Sequence, residues 1–123
     1  MARVYYVDVA IASERKKRIN KIHAAFDGDR VFRVKRPTEL KDAVEVFIDA
    51  LFPQVYDEIL ELLRKGVKIY LLKDTTTLKK LREKNGFKKS DEIDAKLLKM
   101  IPRSRFKQLT PQGSKFAKAN RRV

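Results

Sequence analysis

Short apolar runs, rich in β-branched and aromatic residues, recur through the first 72 positions of the chain. Runs of this kind predict β-strands. The predicted strands cover residues 3–9, 21–26, 30–34, 44–50 and 67–72. Asp27-Gly28-Asp29 lies between the second and third strands, and glycine adopts the positive φ of a tight turn at little cost. These two strands are therefore expected to form a β-hairpin.

Helical spacing of apolar positions appears in the later part of the chain. It predicts a short helical connection at 37–42 and helices at 53–65, 75–84 and 91–101. Pro53 suits the first turn of its helix, and Gly66 suits the end. Because that helix joins two strands, the strands are expected to be parallel. The order of elements thus predicts an α/β fold with a mixed five-stranded sheet, an N-terminal antiparallel hairpin and flanking helices.

Length and charge suggest a folded body followed by a basic tail. The 123 residues fit one domain, for which we predict the limits 1–101, with a basic tail or linker at 102–123. The net charge is +14, and residues 95–123 contain nine Lys and Arg and no carboxylate. Such a field attracts polyanions, nucleic acid above all. There is no cysteine, no leader-like start and no apolar run of membrane-spanning length, so a cytoplasmic location is expected.

Four of the sixteen acidic residues stand out by their positions. Asp8 lies within the first apolar strand, and Asp49 lies at the end of the fourth. Asp91 and Asp94 lie three residues apart at the start of the last helix, so they share one side of it. Carboxylates from strand ends and a nearby helix can converge on a hard divalent cation, Mg²⁺ or Mn²⁺. Taken singly, each acid also has a structural explanation, as an acceptor for a loop amide, a helix cap, a partner of the helix dipole or a solvated charge.

The segment around the last two acids resembles the signature of a known family. Residues 89–98 have the sequence KSDEIDAKLL, which is similar to the K-S/T-D-x-x-D-A-x-x-L motif of the D-E-D-D transposases, a family that includes pilin-gene inverting recombinases. Residues 7–10, VDVA, are similar to the first-strand motif of that family. Residues 46–73 match its order of strand, acid, helix, L-x-x-x-G and strand. The resemblance covers residues 4–101 and implies an RNase H-like (RuvC-like) N-terminal domain.

The resemblance also implies a chemistry, Mg²⁺-dependent DNA strand processing during transposition or recombination. Its catalytic metal ligands would be Asp8, Asp49, Asp91 and Asp94. The sequence departs from the family at the second acid, which is a Glu followed by an Ala-Thr-Gly-like turn, whereas here Asp49 is followed by Ala-Leu-Phe. The family also has a C-terminal domain with a nucleophilic serine and contacts to DNA or a guide RNA, and these 123 residues do not include it.

Basic residues of one loop and of the predicted tail are the expected contacts to nucleic acid. They are Arg15, Lys16, Lys17, Arg18, Arg103, Arg105, Lys107, Lys115, Lys118, Arg121 and Arg122. The expected partners are DNA, a guide RNA in addition, and a second copy of the chain in a homo-oligomer. Two alternatives stay open, a non-catalytic nucleic-acid-binding domain and a PIN-type ribonuclease, which also gathers four acids. The predicted hairpin counts against the latter, because that fold begins with alternating strands and helices.

Overall fold

The structure, a computed structural model, describes residues 2–9 and 23–111, which form one sheet with helices on both faces. The strands are β1 (Arg3–Asp8), β2 (His23–Phe26), β3 (Val31–Val34), β4 (Ala43–Ile48), β5 (Lys68–Leu72) and β6 (Phe106–Leu109). The helices are α1 (Tyr56–Arg64), α2 (Thr76–Asn85) and α3 (Asp91–Met100), with 3-10 turns at Pro37–Glu39, Pro53–Val55 and Arg103–Arg105. In these described ranges, no helix has the length and apolar character that crossing a membrane requires.

The strands follow the order β3-β2-β1-β4-β5-β6 across the sheet. β2 pairs antiparallel with both β1 and β3. β1 pairs parallel with β4, and β4 pairs parallel with β5. α1 connects β4 to β5, as a parallel pair requires. The predicted hairpin is therefore confirmed, with Gly28 at a φ of 96° in its turn, and so is the predicted parallel pair.

The sheet has six strands, so the prediction of five is wrong. The additional strand, β6, pairs antiparallel with β5 and lies beyond residue 101, where the sequence placed the end of the folded domain. Phe106 and Leu109 are buried in different layers of the core, while Lys107 and Gln108 between them are exposed. Two apolar residues among charged neighbours do not form a recognisable alternating run, which explains why the pattern did not predict this strand.

Side-chain alternation along the central strands divides the core into two layers. In β1, Tyr5 and Val7 pack in the layer that contains α1. Val4 and Tyr6 pack in the layer that contains α2 and α3. Because residues two apart in a strand share a face, Asp8 lies on the same side of the sheet as Tyr6, below α3. The alternation therefore decides which helices can meet the first acid.

We predict that Ile59→Ala lowers the free energy of unfolding by about 2–5 kcal/mol, because the substitution leaves a cavity between α1 and the sheet. The Ile59 side chain is 0% exposed. Urea denaturation measures the change. Val44→Ala is the control, since Val44 is 41% exposed and its loss should cost about 1 kcal/mol or less. Equal losses for the two variants would contradict the packing of α1 on the sheet.

Candidate active site

Two acids lie side by side because β1 and β4 are parallel neighbours. Val7 of β1 pairs with Ile48 of β4, so the residues that follow them, Asp8 and Asp49, lie at the same edge of the sheet. The backbone amide of Val9 donates to Asp49 Oδ1 at 2.9 Å, which holds the second carboxylate against the end of β1. The side chains of Asp8 and Asp49 are also hydrogen-bonded to each other.

α3 brings the other two acids to the same edge. Ser90 caps this helix, its Oγ accepting from the amide of Ile93 at 3.0 Å, and this cap fixes where the first helical turn begins. α3 packs on β1 and β2. Asp91 and Asp94 are separated by one turn, and Asp94 is only 6% exposed. All four acids predicted from the sequence thus line one cleft of about 410 Å³, which we call the acidic cleft.

Basic and hydroxyl side chains from the N-cap of α2, from α2 itself and from the following loop form another wall of the cleft. The wall residues are Thr75, Thr76, Lys79, Arg82 and Lys89. The predicted contacts to nucleic acid did not include any of them. One signal could have identified them: α2 follows β5 directly, so its first turns lie at the edge where all the parallel strands end. A basic helix in that position lies beside the acids.

Two arginines pair with the acids of α3. Arg82 Nη1 donates to Asp94 Oδ1 at 2.6 Å, and both side chains are largely buried. Arg33 Nη1, from β3, donates to Asp91 Oδ2 at 3.2 Å in a more exposed position. The negative charge of α3 at the acidic cleft is therefore balanced within the protein.

Burial and mutual repulsion change the protonation of the strand-end pair. Burial first, and then the hydrogen bond and charge of Asp49, raise the pKa of Asp8 to about 10. Burial also raises the pKa of Asp49, although the hydrogen bonds from Asp8 and from the Val9 amide act in the opposite direction. At neutral pH, Asp8 therefore holds the proton of its hydrogen bond with Asp49.

The side chains that line the acidic cleft are of the type that binds hard divalent cations. Mg²⁺ and Mn²⁺ favour carboxylate oxygens, and four carboxylates line the cleft. In the arrangement of the described residues, however, no group of three or more His, Cys, Asp or Glu side chains is set to hold a metal ion. A shared proton and two arginines compensate the acids instead. Binding a cation would require these contacts to be exchanged.

Three of the predicted nucleic-acid contacts, Arg103, Arg105 and Lys107, lie within the described residues, and none of the three lines the acidic cleft. Arg103 donates to Glu45 Oε1 at 3.0 Å and to the Tyr70 hydroxyl at 2.9 Å, and its guanidinium lies over the rings of Phe47 and Tyr70. It thus links β4, β5 and the segment before β6 from the surface, with 59% of its side chain exposed. Arg105 and Lys107 are exposed beside that edge of the sheet. The remaining predicted contacts lie outside the described residues: Arg15, Lys16, Lys17, Arg18, Lys115, Lys118, Arg121 and Arg122.

Comparison with known proteins gives no match among protein-family models, curated protein sequences or solved structures.

We predict that Asp8→Asn increases the free energy of unfolding, measured without divalent cations, by an amount that grows with pH. The raised pKa means that folded Asp8 keeps a proton that the unfolded chain releases above about pH 4. Its contribution to stability is complete below the unfolded pKa and declines as pH rises toward the folded value. Asparagine donates to Asp49 at every pH, so the difference between variant and wild type should grow by up to about 5 kcal/mol from pH 4 to pH 8, at about 1.4 kcal/mol per pH unit.

Urea denaturation at a series of pH values provides this measurement. Asp57→Asn is the matched control, because Asp57 is an exposed carboxylate at the start of α1. A difference between Asp8→Asn and wild type that stays constant with pH would contradict the shared proton.

Proposed function

We propose that this chain is an Mg²⁺- or Mn²⁺-dependent domain that processes nucleic-acid strands. The observation that carries the proposal is the meeting of four carboxylates at one edge of the sheet. Asp8 and Asp49 end adjacent parallel strands and share a hydrogen bond, while α3 contributes Asp91 and Asp94 to the same cleft. Isolated structural roles for the four acids would not require this convergence.

The arrangement of the sheet supports an RNase H-like (RuvC-like) fold. Three antiparallel strands, followed by two parallel strands joined through a helix, in the order β3-β2-β1-β4-β5, is the pattern expected of that fold. α3 lies over β1 and β2, where the last acid-bearing helix is expected. β6 is an addition at the edge of β5. This support is an analogy of architecture, and together with the motif at residues 89–98 it favours a relationship to the N-terminal domain of D-E-D-D transposases.

The chemistry we propose is phosphodiester cleavage or transfer. Divalent cations at Asp8, Asp49, Asp91 and Asp94 would stabilise the charge on the attacking and leaving oxygens. For this, Asp8 has to lose the proton that it shares with Asp49, so cation binding should strengthen as pH rises. Lys79 and Lys89 line the basic wall of the cleft, where their charges would neutralise the phosphates of a bound strand.

DNA is the partner that we propose, on the basis of the +14 net charge and the basic wall of the acidic cleft. Long-range attraction by such a charge does not depend on the nucleotide sequence of the DNA. Contacts to bases or a guide would have to supply specificity for a target site. A guide RNA and a homo-oligomer are further proposals, which rest on the resemblance to the transposase family.

A second candidate function is non-catalytic binding of nucleic acid. The ion pairs Arg82–Asp94 and Arg33–Asp91 favour it, because they give two of the acids a structural partner. In that case DNA binding would be independent of Mg²⁺ and of Asp8. The PIN-type alternative is disfavoured by the antiparallel β2 and β3 that follow β1 in the sheet.

We predict that the full chain, with Mg²⁺ or Mn²⁺, cleaves end-labelled single-stranded, duplex or four-way branched DNA, and that Asp8→Asn reduces the rate on the order of 100-fold or more. The amide keeps the shape of the side chain but is a poor ligand for a hard cation. Gel electrophoresis of the labelled products measures the rate, and Asp57→Asn is the control that should retain it. Cleavage that persists unchanged in Asp8→Asn would reject the acidic cleft as the active site.

We predict that the double variant Lys79→Gln and Lys89→Gln weakens binding to duplex DNA and reduces its salt dependence. Each phosphate that is no longer neutralised should flatten the slope of log affinity against log salt by roughly 0.9, so the two together give roughly two. Fluorescence anisotropy at several salt concentrations measures the slope. The matched double variant, Lys65→Gln with Lys68→Gln, removes the same charge at the opposite edge of the sheet. Lys65 lies just before β5, and Lys68 is its first residue. Equal effects of the two double variants would indicate a general field rather than binding of phosphates at the cleft.

A further inference from the structure

Arg82 and Asp94 form the most buried ion pair among those that the described part of the chain contains. Their side chains are 15% and 8% exposed, compared with 36% and 48% for Arg33 and Asp91. The pair joins α2 to α3 directly across the acidic cleft. A carboxylate this deeply buried needs compensation for its charge, and Arg82 supplies it as a cationic partner.

A guanidinium and a divalent cation at this position compete for the same carboxylate. Arg82 is permanently charged, so it cannot become neutral to accommodate a second cation as a histidine could. A cation bound to Asp94 would also lie near the guanidinium, and in a buried cleft their repulsion is poorly screened. Either Arg82 leaves Asp94 or the affinity for the cation is low.

We propose that Arg82 occupies the place of the metal in the acidic cleft and thereby sets the affinity of the cleft for divalent cations. The inference rests on the proposed function, because it assumes that Asp94 is a metal ligand. When a cation binds, Arg82 gives up Asp94 and remains at the cleft, where a phosphodiester is the anion that it meets. Cation binding is thus weak without a nucleic-acid strand and stronger with one.

Calorimetric titration of Mn²⁺ into the full chain tests the proposal. Arg82→Gln should bind Mn²⁺ at least about tenfold more tightly than wild type, because a nearby positive charge is removed while an amide donor to Asp94 remains. Arg82→Lys keeps the charge, and its affinity should stay within about threefold of wild type. In thermal unfolding, a fixed Mn²⁺ concentration should raise the midpoint of Arg82→Gln more than that of wild type.

Two further variants test whether the gain belongs to the acidic cleft. Lys80→Gln removes the same charge from an exposed position of α2 that does not line the cleft, and it should change the affinity by less than about twofold. Asp8→Asn combined with Arg82→Gln should abolish the gain, since a ligand of the same site is lost.

The wild-type protein offers a measurement that does not depend on the folding of a variant. The Nε–H resonance of Arg82 in ¹H–¹⁵N spectra should move toward the position of an unpaired guanidinium as Mg²⁺ is added. A resonance that does not move at saturating Mg²⁺ would overturn the proposal.

The outcomes separate this inference from the proposed function. Wild-type binding of Mn²⁺ with equal or weaker binding by Arg82→Gln would show that Arg82 positions Asp94 as a ligand, which overturns the inference and leaves the function standing. Tight binding by both Arg82→Gln and Arg82→Lys would also overturn it, because charge would then not be the cause. If neither wild type nor Arg82→Gln binds Mn²⁺ at millimolar concentration, the inference is overturned, while the metal-dependent function is decided by the DNA cleavage assay.

Discussion

The parallel pairing of β1 with β4 is the interaction on which the candidate site depends. It aligns Val7 with Ile48, so two carboxylates follow side by side at one edge of the sheet. The buried side chains on both faces of the two strands hold this register, because a slip of one residue would turn each of them to the wrong face. The closeness of Asp8 and Asp49 is therefore a property of the most buried part of the fold. The acids of α3 reach the cleft only through the docking of a separate element.

Negative charge at the cleft is balanced in three different ways. Asp8 keeps a proton, Asp49 accepts from that proton and from a backbone amide, and Asp94 is paired with a guanidinium. A carboxylate in a poorly solvated position requires such compensation. The three compensating groups differ in how easily they can be removed. A backbone amide cannot leave, whereas a proton and a side chain can. The charge balance of the cleft can thus change while the sheet beneath it stays as it is.

The sequence predicted those parts of the fold that depend on local signals. The hairpin around Gly28, the crossover helix opened by Pro53 and the cap at Ser90 are determined by residues next to them in the chain. The four acids were predicted from strand ends and helical spacing, which are local too. β6 was missed, because its burial comes from pairing with a strand more than thirty positions earlier.

The partners of the acids could not be predicted for a related reason. Arg82 lies 12 positions from Asp94, and Arg33 lies 58 positions from Asp91, so only the packing of the elements shows that they meet. Arg103 looked like a free cation in the sequence, yet a carboxylate 58 positions away and two aromatic rings hold it in place. Which cations are engaged and which are free depends on tertiary structure alone.

The attachment of α2 has a consequence for what the cleft can accept. Leu78 is the only buried residue of this helix, and Leu81 is partly buried, whereas α1 and α3 each bury at least three side chains. With so few buried apolar side chains, α2 depends on the Arg82–Asp94 ion pair for its attachment to α3, and its local free energy of opening is low once that pair is released. One wall of the cleft, formed by the sheet and α3, is therefore rigid. The other wall, formed by α2, moves more easily. Tilting of α2 about Leu78 would widen or narrow the cleft without disturbing the hydrophobic core.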